Sequence, residues 1–314
     1  MFSIAFLGQI EEKWYFCKVN GIYGHIKKML CDGGIGNGEA RAVALLLLEK
    51  VCGLTVAEAL TADALAVGDE RARVLDMARR VAGGEPVQYV LGEADFCGLS
   101  LYVKSGVLIP RPETQELVEW VVKDCLDGIA ENCMAERAEA CTERILDICT
   151  GSGCVAVALA QRISCAEVEA WDVSAEALDV ARVNVERCGV GVTLKKVDVL
   201  NDEEVSKEVG DGWDVIVSNP PYVCEEEAVE MDACVLDHEP RLALFVPDEA
   251  PLLFYRQIAR IGMKALRSGG RLYFEINRRF GNEVLAMLNE MGYVRAELRQ
   301  DFCGNDRMVK AIKE

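Results

Sequence analysis

From residue 143 onward the chain repeats one pattern: a short apolar run fit for a buried strand, a turn, then a stretch whose apolar residues recur at helical spacing. Strands are expected at 145–148, 168–171, 192–197, 213–218 and 271–276, with two more around 294–298 and 308–312. Such alternation specifies an α/β sheet domain, because strands this apolar need helices over both faces of the sheet. The first run ends in Asp147-Ile148-Cys149-Thr150-Gly151-Ser152-Gly153-Cys154-Val155-Ala156, and the helix it opens extends to about Arg162. Glycines placed there let the chain turn sharply and let its backbone come close to a ligand. Alone, the G-x-G-x-x-A spacing is shared by dinucleotide enzymes, methyltransferases and plain tight turns.

The following strands narrow the choice. Asp172 ends the second strand, nineteen residues after Gly153, where a carboxylate can accept hydrogen bonds from both hydroxyls of a ribose. Ser174 is the better-placed cap for the next helix, which frees Asp172 for that role. Asp198 ends the third strand, so Asp147, Asp172 and Asp198 stand along the carboxyl edge of the sheet, the edge that binds ligands in such folds. A pyrophosphate would be repelled by three carboxylates. S-adenosylmethionine, which has no phosphate and carries a sulfonium and an ammonium, suits the edge better than NAD.

Directly after the strand expected to be fourth in the sheet comes Asn219-Pro220-Pro221-Tyr222, aimed at the same edge. An amide nitrogen is a poor nucleophile, since its lone pair is delocalised in a resonance worth about 18–20 kcal/mol on full rotation. Orientation has to do most of the work. The Asn219 side-chain oxygen can accept one N–H of a planar amino group, and the Pro220 carbonyl, kept out of helix by Pro221, can accept the other. The nitrogen is then turned toward a methyl carbon roughly 3 Å away. Tyr222 is expected to pack on the plane of the substrate group.

Ahead of the sheet, residues 1–84 read as a small helical domain: a helix over 39–54, a Thr55-Val56-Ala57-Glu58 capping box, and a helix over 69–81 that ends in Gly83-Gly84. In the last of these, Val74, Leu75, Ala78 and Val81 form one apolar stripe, with Arg71, Arg73 and Arg80 left to solvent. Residues 1–38 carry Gly33, Gly34, Gly36 and Gly38, a flexible stretch, and no element is assigned to the segment before it. Residues 85–112 alternate as a β-hairpin linker, with a turn at Cys97-Gly98, and the sheet domain spans 113–314, beginning with a helix and a loop over 127–143.

Charge and cysteines set the class. The net charge of −18 disfavours a nucleic-acid track, and Arg79-Arg80 and Arg278-Arg279 are only pairs. The longest apolar stretch, 42–48, is far below the roughly 20 residues of a membrane span, and no basic region precedes the apolar start. A cytoplasmic monomer with no membrane contact is expected. Fourteen cysteines without a C-x-x-C pair, and two histidines, His25 and His238, point to reduced thiols packed as small apolar groups. Cys125, Cys133, Cys141 and Cys149 recur every eight residues, which matches no metal-ligand spacing, so no metal is expected.

Several segments together resemble the release factor glutamine methyltransferases (PrmC/HemK): Gly84 through Gly92 (GEPVQYVLG), Leu108-Ile109-Pro110-Arg111-Pro112-Glu113-Thr114, the Asp147 to Gly153 loop, Asn219 to Tyr222, Glu239-Pro240-Arg241-Leu242-Ala243-Leu244, and 301–307. The resemblance implies a Rossmann-like class I S-adenosylmethionine methyltransferase sheet behind a helical substrate-recognition domain. It implies methylation of a glutamine side-chain amide in the GGQ motif of peptide chain release factors. Cofactor contacts carry over to Cys149, Thr150, Gly151, Ser152, Gly153, Asp172, Asp198, Val199 and Asn219, and substrate contacts to Asn219, Pro220, Pro221 and Tyr222. Three positions depart from the family pattern: Cys149 and Asn277 stand where glycine is usual, and Gln115 where glutamate is frequent. Val199 replaces an aromatic residue that some members place against adenine. A ribosomal-protein glutamine methyltransferase shares the same corner, as does a DNA adenine N6-methyltransferase, which the net charge opposes.

Overall fold

The computed structural model describes residues 21–61, 68–134 and 142–314. They fall into two compact units, Met1–Gly92 and Glu93–Glu314.

In the first unit, α1 (Ile22–Asp32), α2 (Asn37–Cys52), α3 (Val56–Thr61), α4 (Asp69–Ala82) and α5 (Val87–Leu91) close around Ile26, Leu30, Leu47, Val74 and Ala78. Residues Ile22, Ile26 and Leu30, spaced by four, define α1, an element hidden in the sequence by the glycines that follow it. Gly33 is required by contact: a Cβ there would sit 2.5 Å from the Ala82 carbonyl oxygen. The expected capping box is present, with Thr55 N–H donating to Glu58 Oε2 at 2.9 Å and Glu58 N–H donating to Thr55 Oγ1 at 3.3 Å. Val74, Ala78 and Val81 are buried in α4, and Arg71, Arg73 and Arg80 are exposed. Residues 87–91, read from sequence as linker, form α5, because Tyr89 and Val90 bury their side chains.

The second unit opens with the hairpin β1 (Glu93–Phe96) and β2 (Leu99–Tyr102), joined by Cys97 and Gly98, both at positive φ as a tight hairpin turn demands. Then α6 (Pro112–Met134) runs eight residues into the expected 127–143 loop. Its stripe of Leu117, Val118, Val121, Cys125 and Ile129 keeps helical spacing through that stretch. Residues 135–141 lie outside the described residues, as does Cys141 of the eight-residue cysteine series; the Cys133 side chain does too.

The sheet contains β3 (Glu143–Ile148), β4 (Ala166–Asp172), β5 (Val192–Lys196), β6 (Trp213–Ser218), β9 (Leu266–Glu275), β10 (Tyr293–Gln300) and β11 (Asp306–Lys313), in the order β5-β4-β3-β6-β9-β11-β10. It is parallel from β5 to β9, and β11 runs antiparallel to both of its neighbours. Every expected strand is present. Two-residue alternation splits the core: Val215, Val217 and Tyr273 face α6 and α7 (Cys154–Arg162), whereas Ile216, Leu272 and Phe274 face α12 (Leu253–Ala265) and α13 (Gly281–Glu290). The remaining helices are α8 (Ala175–Cys188), capped by Ser174, α9 (Asp202–Glu208), α10 (Ala233–His238) and α11 (Arg241–Leu244), and a small parallel pair joins β7 (Val223–Cys224) to β8 (Phe245–Val246). Among the described residues no helix is long and apolar enough to cross a membrane.

This topology positions the site. From β3 the chain builds outward through β4 and β5, then returns to place β6 on the other side of β3, so the strand order reverses between β3 and β6. Such a switch point leaves a crevice beyond the carboxyl ends of the two strands. Ile148 and Ser218 are paired across it, and the Ser218 hydroxyl donates to the Ile148 carbonyl at 2.6 Å.

Candidate active site

A cleft of about 240 Å³ opens at this crevice. It is lined by the glycine loop, by Asp172, by Asp198 and Val199, by Asn219 and Pro221, and by two segments from outside the sheet that include Arg111, Thr114, Leu242 and Ala243.

Asp147, 1% exposed at the end of β3, receives the Thr150 hydroxyl at 2.6 Å and the Ala156 N–H at 3.2 Å, both on Oδ2. Burial pushes its carboxyl up to about 7, with the Asp172 charge adding to the rise and the two donors opposing it. Cys149 adopts φ 62, the left-handed region that the glycine usual at this position would take freely. A side chain there costs on the order of 1 kcal/mol. Burial, reinforced by Asp172 and Asp147, drives the Cys149 thiol well up, so it remains a neutral group packed on the core. At Gly153, φ is 79 and an added Cβ would stand 3.0 Å from the Ala181 Cβ, so the loop is clamped onto α8.

Asp172 is held by two backbone donors: Gly151 N–H reaches Oδ2 and Ser174 N–H reaches Oδ1, each at 2.8 Å. An ionised carboxylate offers about four acceptor sites, so two remain for a ligand's hydroxyls. Ser174 itself caps α8 by accepting the Ala177 N–H at 3.2 Å, which leaves Asp172 out of the capping role. Asp198 turns the chain by accepting the Leu200 N–H at 2.9 Å, and Val199, 5% exposed, joins the core while lining the cleft.

Of the proline corner, Asn219 and Pro221 line the cleft, while Pro220 is buried and neither it nor Tyr222 is among the lining residues. The Tyr222 hydroxyl donates to Glu275 Oε1 at 3.0 Å, and its ring packs against the core. Asn219 Nδ2 donates to Thr114 Oγ1 at 3.2 Å, and the Thr114 hydroxyl donates to Glu275 Oε2 at 2.6 Å. Glu275 is 1% exposed; burial raises its carboxyl, against the pull of the Thr114 and Tyr222 hydroxyls and of Arg307.

Two of the sequence departures have structural partners. Asn277 Nδ2 donates to the Tyr222 carbonyl at 3.0 Å and to Glu227 Oε2 at 2.7 Å, and Gln115 Oε1 accepts the Cys97 N–H at 3.1 Å. Sequence reasoning assigned no role to Thr114, Glu275, Arg111 or Glu239. Arg111 pairs with Glu239 at 2.6 Å, and Glu239 also accepts the Ile109 N–H at 3.2 Å. The available signal was the charged and hydroxyl residues set among prolines in 108–114 and 239–244, stretches too polar for a surface that merely packs.

The donor set decides what the cleft fits. Among the described residues Arg111 is the sole basic side chain on its lining, already paired, against Asp147, Asp172 and Asp198. A ligand with cationic groups and hydroxyls fits; a polyphosphate does not.

Residues 25–92 match the family described as PrmC N-terminal domain, and residues 126–235 match that described as Methyltransferase small domain. The release factor glutamine methyltransferase of Bacteroides thetaiotaomicron is 47% identical over 74% of this chain and 77% of its own. That of Flavobacterium psychrophilum is 43% identical over 72% and 75%, and that of Streptococcus pneumoniae 38% over 77% and 80%. With this identity over most of its length, and an acidic cleft at the switch point of its sheet, the chain belongs to the release factor glutamine methyltransferase family.

Proposed function

We propose that the chain methylates the side-chain amide nitrogen of a glutamine in the GGQ motif of a peptide chain release factor, using the cleft beyond β3, β4, β5 and β6. S-adenosylmethionine supplies a methyl group activated on a sulfonium. Asp172 takes the ribose hydroxyls, the 149–153 loop lies along the cofactor, Asp198 and Val199 border its base, and Asn219 with the Pro220 carbonyl accepts the two N–H groups of the substrate amide. Tyr222 then acts from the side, as a residue that fixes the corner through Glu275. The first unit, which matches the family's N-terminal domain, is assigned to recognition of the release factor.

The observation that carries this reading is the pairing of Ile148 with Ser218, which brings the glycine loop and Asn219 to one cleft. The experiment is incubation with labelled methyl donor and purified release factor, ribosomal proteins and duplex DNA, with the label located by mass spectrometry. Label on a release-factor glutamine is expected; label only on a ribosomal protein or an adenine overturns the assignment. Asn219→Ala should lower the rate about ten- to a hundredfold, the effect of one or two lost hydrogen bonds.

A further inference from the structure

A side-chain amide used as an acceptor has a weakness: rotated by half a turn it presents NH2 where oxygen is needed. A substrate amino group has no use for a second amino group. Whatever fixes the rotation of Asn219 therefore decides whether the corner works.

The neighbours of Asn219 fix it through a chain of donors. Glu275, at the end of β9, takes one donor on each oxygen, Thr114 at 2.6 Å and Tyr222 at 3.0 Å, and these two hydroxyls with Arg307 favour its ionised form against the rise that burial imposes. With its proton committed to Glu275, Thr114 Oγ1 has only lone pairs to offer. It can receive Nδ2 of Asn219, as it does at 3.2 Å, and it cannot satisfy Oδ1. The asparagine oxygen is thereby turned from Thr114 and left for an incoming N–H. The same carboxylate holds Tyr222, so both ends of the 219–222 corner refer to one buried group.

We infer that Thr114 and Glu275 are positioning residues that set the amide rotation of Asn219, and so the orientation of the substrate amide. The inference rests on the function proposed above. Thr114→Val keeps the shape and removes the acceptor, so kcat on release factor should fall about ten- to a hundredfold, with KM for the release factor and the dissociation constant for S-adenosylmethionine each within about twofold. Thr114→Ser, which restores the hydroxyl, should recover kcat to within about threefold of the native enzyme. A melting temperature for each variant separates misfolding from misorientation.

A second readout does not depend on what is methylated. The Asn219 side-chain NH2 signals in a 15N-labelled protein, identified by their loss in Asn219→Ala, should be protected from solvent exchange in the native chain and in Thr114→Ser, and should lose protection in Thr114→Val. Native kcat in Thr114→Val, a loss that serine does not rescue, or unchanged Asn219 signals in a folded Thr114→Val protein each overturn the inference. If the native protein labels no glutamine, the proposed function fails, and the exchange measurement still decides the orientation.

Discussion

Binding of the methyl donor should depend on pH through Asp147. Burial holds its carboxyl at about 7 in the ligand-free protein, with Asp172 adding to the effect and Thr150 and Ala156 opposing it. A sulfonium and an ammonium entering the cleft favour the ionised form, so affinity follows the fraction of Asp147 that is ionised. That fraction is about one half at pH 7 and about 3% at pH 5.5, which predicts affinity weaker by about fifteenfold, or ~1.6 kcal/mol, at the lower pH. The ligand's own amine, with an ordinary value near 8, stays charged across this range. Titration calorimetry at pH 5.5, 6.2 and 7, in buffers of different ionisation enthalpy, reads both the affinity and the proton released. Asp147→Asn, whose oxygen can still receive Thr150 and Ala156, should flatten the profile. Native affinity that is constant with pH and accompanied by no proton release would refute the reasoning. Stability without ligand should run the other way: the folded chain keeps this proton between about pH 4 and 7 where the unfolded chain has lost it, so stability declines as pH rises through that window, by at most about 4 kcal/mol.

Asp172→Ala should weaken donor binding roughly ten- to a hundredfold while leaving kcat at saturating donor near the native value; unchanged affinity by calorimetry removes the ribose assignment. Gly153→Ala, which puts a Cβ at 3.0 Å from Ala181 on a backbone at φ 79, should cost about 1–3 kcal/mol in urea unfolding and lower donor affinity as well. Ile216→Ala, in the fully buried central strand, should cost about 2–5 kcal/mol of stability and leave the cleft chemistry intact when the protein is assayed well below its melting temperature.

The features legible in the sequence were those written locally. A strand followed by glycines, or by asparagine and prolines, marks a turn within a few residues, and the periodicity of the runs gave all seven strands of the sheet. What sequence could not display was the partnership of distant polar groups. Thr114 and Glu275 meet across 161 residues and Arg111 and Glu239 across 128, and neither bond has any local pattern, since a charged residue reads as solvent-exposed until its buried partner is known. Tyr222 adds a partnership of the same kind: its aromatic ring was expected on the plane of the substrate group, and its hydroxyl donates to Glu275, 53 residues away. Helix α1 and the last turns of α6 escaped for a simpler reason, because glycines after the one and charges within the other looked like loop.

The glycine turn and the Asn219 corner grow from the two sides of a single rung of one ladder, Ile148 and Ser218, at the interstrand distance of about 4.8 Å. Neither can drift without unzipping the most enclosed pair in the sheet. The gauge between donor and acceptor is thus inherited from backbone geometry and is closed to gradual adjustment. The stretches that arrive from outside the ladder, 106–114 and 239–243, are not bound to that gauge; one guanidinium and one carboxylate brace them against each other. Substitutions there can reshape the rim of the cleft while the glycine turn and Asn219 stay where the strands put them.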